Sequence, residues 1–342
     1  MSLQAVARND AADFAVTSLA RVTSLSLEFA AASSVDDSIK NEIADFLDSQ
    51  HTSHPFQYPH WTDGNSYFAM VRKDGHLRWY ANCGVQYPLS TRVAMVRSVF
   101  VNRGPVCDDP DLWNASLHLL QRELSERGFV HLDVAPDWAS LGCGGYGAGA
   151  RASLRLDLKA DEDQLFAGFR KNTRYEIRRA ERLGVSVVKS NSPEQVEEFI
   201  ALHQRMAERK NFSPDSADHI RHIVGWFMRE QSRGALLMAR HDGALLGGVV
   251  VVRAGQRCWY VWGATGRHDD VNAGHILQWH ALRWAKSHGC TEYDFGGYTL
   301  GAASGPAWFK QGFGGRVVEF PPTRRSILRP WYHYLLRRLS RA

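Results

Sequence analysis

The sequence predicts a mixed α/β protein made of two units in tandem, each a mixed, mostly antiparallel sheet flanked by helices. Three observations carry this. The 342 residues exceed what one hydrophobic core usually serves. A glycine-dense stretch, Leu141 to Gly149, interrupts the chain near its middle. The strand and helix order before that stretch returns after it in fuller form, which suggests an old internal duplication. The expected boundaries are 1–150 for the first unit and 151–319 for the second. Residues 320–342 return to complete the first unit after Glu319-Phe320-Pro321-Pro322.

In the first unit, residues 36–48 suit a helix entered after Ser33-Ser34. Residues 66–73 and 76–83 alternate around Asp74-Gly75, a hairpin signal. Residues 93–102 read as a strand, 110–127 as a helix entered after Asp108-Asp109-Pro110, and 129–134 as a strand. The Gly-rich stretch has no following Gly-Lys-Ser/Thr, so a linker is the better reading than a phosphate loop. The second unit reads as strand 152–158, helix 161–183, strand 185–190 and helices 193–209 and 216–229. Strands 236–240, 246–253 and 259–264 follow, then helix 273–288 and strand 292–295. That order matches an acetyltransferase-type domain.

Composition excludes several classes. A 44% hydrophobic and 23% charged chain is ordinary for a globular protein. The balance of 41 basic against 36 acidic residues leaves +5, compatible with a polyanionic partner. Five scattered cysteines show neither CxxC nor Cys/His spacing, which argues against a disulfide framework or a zinc site. No metal is expected. The first thirty residues lack an apolar core, and no stretch approaches a membrane span, so a cytoplasmic location and a monomer are the expectation.

Chemistry concentrates in Tyr293-Asp294-Phe295-Gly296-Gly297, with Tyr298 just beyond, and in Trp308-Phe309-Lys310-Gln311-Gly312-Phe313-Gly314-Gly315. A strand ends in two glycines, and a glycine-rich loop then fixes a lysine between two aromatic residues. A partly desolvated ammonium there could stabilise developing negative charge. The plainer alternative makes Phe309 and Phe313 core contacts and Lys310 a solvated surface residue. In helix 161–183, Phe166, Phe169, Thr173, Ile177 and Ala180 form an inward stripe. Arg170, Arg174, Arg178 and Arg182 recur outside it every four residues, beside Lys171 and Arg179. Successive arginines then lie about 6 Å apart along the axis, comparable to phosphate spacing along one strand. A solvated basic face is the bland alternative. The C-terminal tail interleaves six arginines with Trp331, Tyr332, Tyr334 and leucines. It could pack on the first unit, touch a nucleic acid or rest weakly on an anionic membrane surface, and packing is favoured.

These motifs together resemble the Fem-type (FemABX-like) non-ribosomal peptidyltransferases, tandem acetyltransferase (GNAT)-like proteins that build peptidoglycan cross-bridges. The YDFGG strand and FKxxFGG segment resemble that family's C-terminal signature. Gln57-Tyr-Pro-His-Trp61 resembles its early Gln…Trp motif, and Arg103-Gly-Pro-Val106 with Asp108 its RGPV…D turn. Phe169 to Arg174, running to Glu181, resembles its basic helix, and Arg209 with Phe212 its Arg-x-x-Phe helix end. The resemblance implies transfer of an amino acid from aminoacyl-tRNA, a co-substrate rather than a cofactor, onto a peptide amine without a covalent intermediate. Lys310 would stabilise the oxyanion, and Asp108 would orient or deprotonate the amine unless it merely caps the helix at Pro110. Gln57, Trp61, Arg103, Arg209, Tyr298, Phe309 and Phe313 would bind substrate. Arg170, Lys171, Arg174, Arg178, Arg179 and Arg182 would bind tRNA.

Two departures bear on the acceptor. Peptidoglycan-building members carry a lysine four residues after the early tryptophan, where this chain has Asn65, and the long charged helical hairpin of some members is missing. Both put the usual nucleotide-linked acceptor in doubt and tilt the expectation slightly from a peptidoglycan stem towards a carrier-bound or nucleoside-linked antibiotic peptide. Acyl-CoA use is a second reading. It is disfavoured because Asp269 and Asp270 would repel a pyrophosphate, and the glycine pattern of Arg267 to Gly274 is broken. A non-catalytic tRNA- or membrane-binding module is the third.

Overall fold

The computed structural model describes residues 25–334 apart from 52, 63, 88–95, 137–150, 191, 231, 267–270, 300–304 and 333. The Gly-rich stretch, residues 267–270 and the tail beyond Tyr334 therefore lie outside the described residues. The first half contains β1 (Leu27–Ala31), α1 (Asp37–Ser49), β2 (Ser66–Lys73), β3 (His76–Gln86) and β4 (Ser98–Asn102). Next come β5 (Val106–Cys107), α2 (Pro110–Glu126) and β6 (His131–Ala135). The second half contains β7 (Arg151–Asp157), α3 (Glu162–Gly168), α4 (Lys171–Arg182), β8 (Ser186–Lys189), α5 (Pro193–Lys210) and α6 (Ala217–Arg229). The chain continues through β9 (Gly234–His241), β10 (Ala244–Ala254), β11 (Arg257–Thr265), α7 (Ala273–Ser287) and β12 (Glu292–Thr299). It closes with α8 (Gly305–Gln311), β13 (Arg316–Glu319) and β14 (Arg324–Ile327).

Two seven-stranded sheets result, ordered β1-β2-β3-β4-β6-β14 with β5 on β3, and β13-β7-β12-β11-β10-β9-β8. Most pairs are antiparallel; β4·β6 and β11·β12 are parallel. The hairpin signals operate through backbone conformation. Asp74 and Gly75 take φ of 54° and 79°, Asp242 and Gly243 take 48° and 78°, and such left-handed pairs fit the twist of the strands they join. Asp109, not Asp108, caps α2, its carboxylate accepting from Asp111 N at 3.0 Å. Strand β14 pairs with β6 of the first sheet, while β13 pairs with β7 of the second. Leu328 packs on the first sheet's core, and Arg329 Nη2 donates to Ser125 O at 2.9 Å, whereas Trp331 and Tyr334 are exposed.

Three apolar clusters hold the molecule. One lies between the first sheet and α2, and one between the second sheet and α4 and α7. The third is shared: Ile43, Leu47, Tyr58 and Phe68 of the first half pack with Phe199, Trp226, Val250 and Trp259 of the second. Among the described residues no helix is long and apolar enough to cross a membrane.

Three sequence expectations need correction. The helix expected over 161–183 is two helices, because Phe169 and Arg170 adopt extended ψ values of 153° and 149°. The break turns Phe169 inward against Phe166, Trp279 and Phe313, and Arg170 N donates to Gly312 O at 2.8 Å. The strand expected to end at Phe295 continues to Thr299, paired with β7. Lys310 stands on the short helix α8, not in a glycine-rich loop.

Candidate functional site

The second sheet opens where β11 and β12 part. They pair only through Arg257–Trp259 and Glu292–Asp294. Beyond that point β12 keeps its pairing with β7, which runs from Glu292 to Thr299 with a register shift between Asp294 and Gly297. On the other side β11 carries a bulge: Val250 faces Trp262 and Val251 faces Tyr260, leaving Val261 extra. The bulge sends Trp262 into the shared core and Tyr260 towards the opposite face. The result is a notch in the sheet between β11 and β12, beyond Trp259 and Asp294.

Lys310 stands at this notch. Its Nζ donates to Gly297 O at 2.8 Å and lies 6.0 Å from the centroid of the Tyr260 ring. The side chain is half-buried, and burial pushes the ammonium pKa down to about 8, with the negative charge of Asp294 opposing the shift. Asp294 is itself buried at 1% exposure and shapes the strand end. It accepts from Gly296 N at 2.8 Å, from Arg155 Nε at 2.8 Å and from Ser153 Oγ, so the bulge that presents Gly297 O is tied to a buried ion pair. Behind Lys310, Phe309 and Phe313 pack around His275 in the first turn of α7, with ring centroids 4.9 and 5.9 Å away. Burial takes the His275 pKa down to about 4, so the ring is neutral near pH 7. The ammonium is thus fixed from below and spans part of the gap, an arrangement able to meet an oxyanion.

On one flank lies the basic helix. Arg170 Nη2 donates to Gln311 Oε1 at 3.2 Å, and its guanidinium lies 5.6 Å from the ring centroid of Trp308, which is 55% exposed. Arg174 caps the end of α3 by donating to Ala167 O and Phe169 O, and Arg178 lies over Phe166. These two arginines also make contacts within the fold. Among the described residues, the side chains of Lys171, Arg179 and Arg182 make no hydrogen bond or ion pair.

On the other flank a cavity of about 1000 Å³ lies between the two halves, lined by residues of β3, β4, the start of α6 and β11. Trp61 and Asn65 line it; Lys310 does not.

The remaining expected residues are dispersed. Gln57 is fully buried, and its carboxamide is used by the backbone, donating to Asn102 O at 2.6 Å and accepting from Asn82 N at 3.0 Å. It holds β3 to β4 and does not face a ligand. Phe313, 1% exposed, is likewise a core residue. Arg103 lies over the Phe320 ring at 3.7 Å, close to the junction of the halves. Arg209 reaches the end of β11, donating to Thr265 O at 2.9 Å, and Tyr298 Oη accepts from Gln311 Nε2 beside Lys310. Asp108 is paired with Arg78 Nη1 at 2.6 Å, near the Asp74-Gly75 turn. Among the described residues Asp108 does not line the cavity, and the partner of its carboxylate is Arg78. Asp294, Arg155, Ser153 and His275 were not anticipated; a charged residue inside the apolar run Tyr293-Asp294-Phe295 was the available signal. Among the described residues no three His, Cys, Asp or Glu side chains cluster as metal ligands.

Parts of the chain, and its fold, are shared with known proteins. Residues 167–311 match the family described as "Acetyltransferase (GNAT) domain". The UDP-N-acetylmuramoylpentapeptide-lysine N(6)-alanyltransferase of Weissella viridescens is 25% identical over 149 residues, 43% of this chain and 44% of that protein. A lipid II:glycine glycyltransferase of Staphylococcus haemolyticus is 35% identical over 63 residues, 18% and 15% of the two chains. The matches thus span less than half of either relative. The crystal structure of FemX superposes with a TM-score of 0.75 at 17% identity, covering 86% of this chain and 98% of that one, which establishes a shared fold.

Proposed function

We infer from the chain's place among the FemABX-like proteins that it transfers an amino acid from aminoacyl-tRNA to the free amine of a peptide acceptor. The observation that carries this is the notch. A half-buried lysine stands where β11 and β12 part, with a basic and aromatic flank on one side and the cavity between the halves on the other. The tRNA end approaches over Arg170, Trp308 and the free cations of α4, since exposed aromatic and basic groups suit a single-stranded terminus. The acceptor occupies the cavity and presents its amine through the notch.

The neutral amine attacks the aminoacyl ester carbon. The C–N bond forms, the C–O bond to the ribose breaks, and the proton lost by nitrogen is balanced by the one gained by the ribose oxygen. Lys310 supplies charge to the tetrahedral oxyanion while the two flanks hold the reactants in place. The ester is already activated, so no enzyme-bound acyl intermediate is required. Acyl-CoA remains the competing donor.

The experiment is transfer of radiolabel from charged total tRNA to candidate peptide amines, with RNase-treated and acetyl-CoA arms. We expect RNase-sensitive transfer. Label arriving from acetyl-CoA alone would overturn the tRNA reading.

A further inference from the structure

The wall of the interdomain cavity has a marked chemical character. Trp61 and Trp262 lie nearly parallel, centroids 5.9 Å apart at 18°, and Phe56 packs on Trp61 at 5.0 Å. His219 meets both indoles edge-on at 5.8 Å. Asp215 lines the same wall, and its only hydrogen bond among the described residues comes from Trp262 Nε1 at 2.6 Å. An indole N–H orients that carboxylate without neutralising it. Asp218, also on the wall, is held by Arg221 Nη1 at 2.5 Å, but the same guanidinium also binds Glu197, so one positive charge faces two carboxylates. Among the described lining residues there is no lysine or arginine. Ser66 also lines the cavity. It is 5% exposed, and its hydroxyl has no hydrogen-bond partner among the described residues, so it is available to a ligand or a water in the cavity.

We propose that this cavity recognises a cationic acceptor, an ammonium-bearing peptide, and that it excludes a nucleoside diphosphate. The inference rests on the cavity being the acceptor site of the transfer reaction. Aromatic faces attract a cation through their quadrupole, and an un-neutralised carboxylate reinforces the attraction as the ligand loses water. The same two features oppose a diphosphate, which would enter with no described cation to meet it. A volume of about 1000 Å³ admits a peptide of a few residues. The ammonium held here leaves the neighbouring chain free to extend towards the notch.

Calorimetric titration of the full chain with Gly-Lys-Gly, the same peptide acetylated at both amines and uridine diphosphate tests this. The tripeptide is expected to bind at least tenfold more tightly than the acetylated form, and uridine diphosphate is expected not to bind. Asp215→Asn should remove most of the difference between the peptides. Trp262→Phe, which keeps an aromatic face but loses the N–H that orients Asp215, should weaken the tripeptide several-fold, with circular dichroism confirming the fold of both variants. Binding of uridine diphosphate, equal affinity for the two peptides, or no binding of either would each overturn the proposal. Tripeptide binding by the wild-type chain without transfer from charged tRNA would instead sink the transfer reading, whereas Lys310→Met, whose side chain does not line the cavity, should still bind the tripeptide. RNase-sensitive transfer to uncharged peptides alone would sink the cation requirement and leave transfer standing.

Discussion

Lys310 is held in conflict with its own stability. Burial lowers its pKa from 10.5 to about 8. At pH 7 both folded and unfolded chains carry the ammonium, and the folded state bears the whole desolvation cost. That cost fades as pH rises from about 8 and is absent above 10.5, where both states are neutral. Lys310→Met should therefore melt at or above the wild-type temperature at pH 7 while transfer falls by 10²- to 10³-fold, as loss of an oxyanion donor implies. Loss of activity together with a large drop in Tm would mean that the lysine is structural. The working form can be read from the alkaline side of the pH–rate profile. If the ammonium acts, the rate should decline above about pH 8, and Lys310→Arg, whose guanidinium stays charged, should move that decline beyond pH 10. A wild-type rate still climbing past pH 9 would contradict the cationic role.

Helix α8 is placed by one close approach. A methyl group on Gly312 would clash with Thr173 Oγ1 on α4 and lie 3.0 Å from Phe309 O. Gly312→Ala should push α8 from α4, costing about 1–3 kcal/mol and lowering transfer at least tenfold as Lys310 shifts. Adding Thr173→Ala removes the obstructing hydroxyl and should restore part of both, as urea unfolding and single-turnover transfer would register. No recovery would place the strain elsewhere. This contact also marks where sequence reading reaches its limit. The hairpins at Asp74-Gly75 and Asp242-Gly243 were legible because the turn residues themselves select the backbone conformation. The break at Phe169 was not, because the apolar stripe of 161–183 keeps its spacing across it. What ends α3 is a partner distant in sequence, Gly312 O. The site divides in the same way. Lys310 lay within a contiguous motif, whereas Trp61, Asp215 and Trp262 meet only by tertiary packing, and Gln57, though part of a motif, serves the backbone.

At the scale of the whole molecule, the two sheets share a core, and two surfaces converge on one notch. If α4 carries tRNA, its free cations should account for much of the salt dependence of binding. Replacing Lys171, Arg179 and Arg182 with glutamine should reduce the slope of log K against log salt by about 2–3, at roughly 0.7–0.9 per phosphate contact. An unchanged slope would move the tRNA surface away from this helix. The shared core makes a stricter demand. Trp226 is 1% exposed and packs against Tyr58 and His60 of the first half, with centroids 5.7 and 5.2 Å away. Tyr58 Oη in turn donates to Asp48 Oδ1, whose carboxylate also binds Arg233. Neither half keeps this surface covered alone, so tryptophan fluorescence and far-ultraviolet dichroism should report one coincident urea transition. Trp226→Ala should lower stability by about 3–5 kcal/mol and shift that single transition without splitting it. Two separable transitions in the wild-type chain would show that each half folds on its own. The cavity would then lie at a movable joint, and its aromatic wall would form only when the halves close.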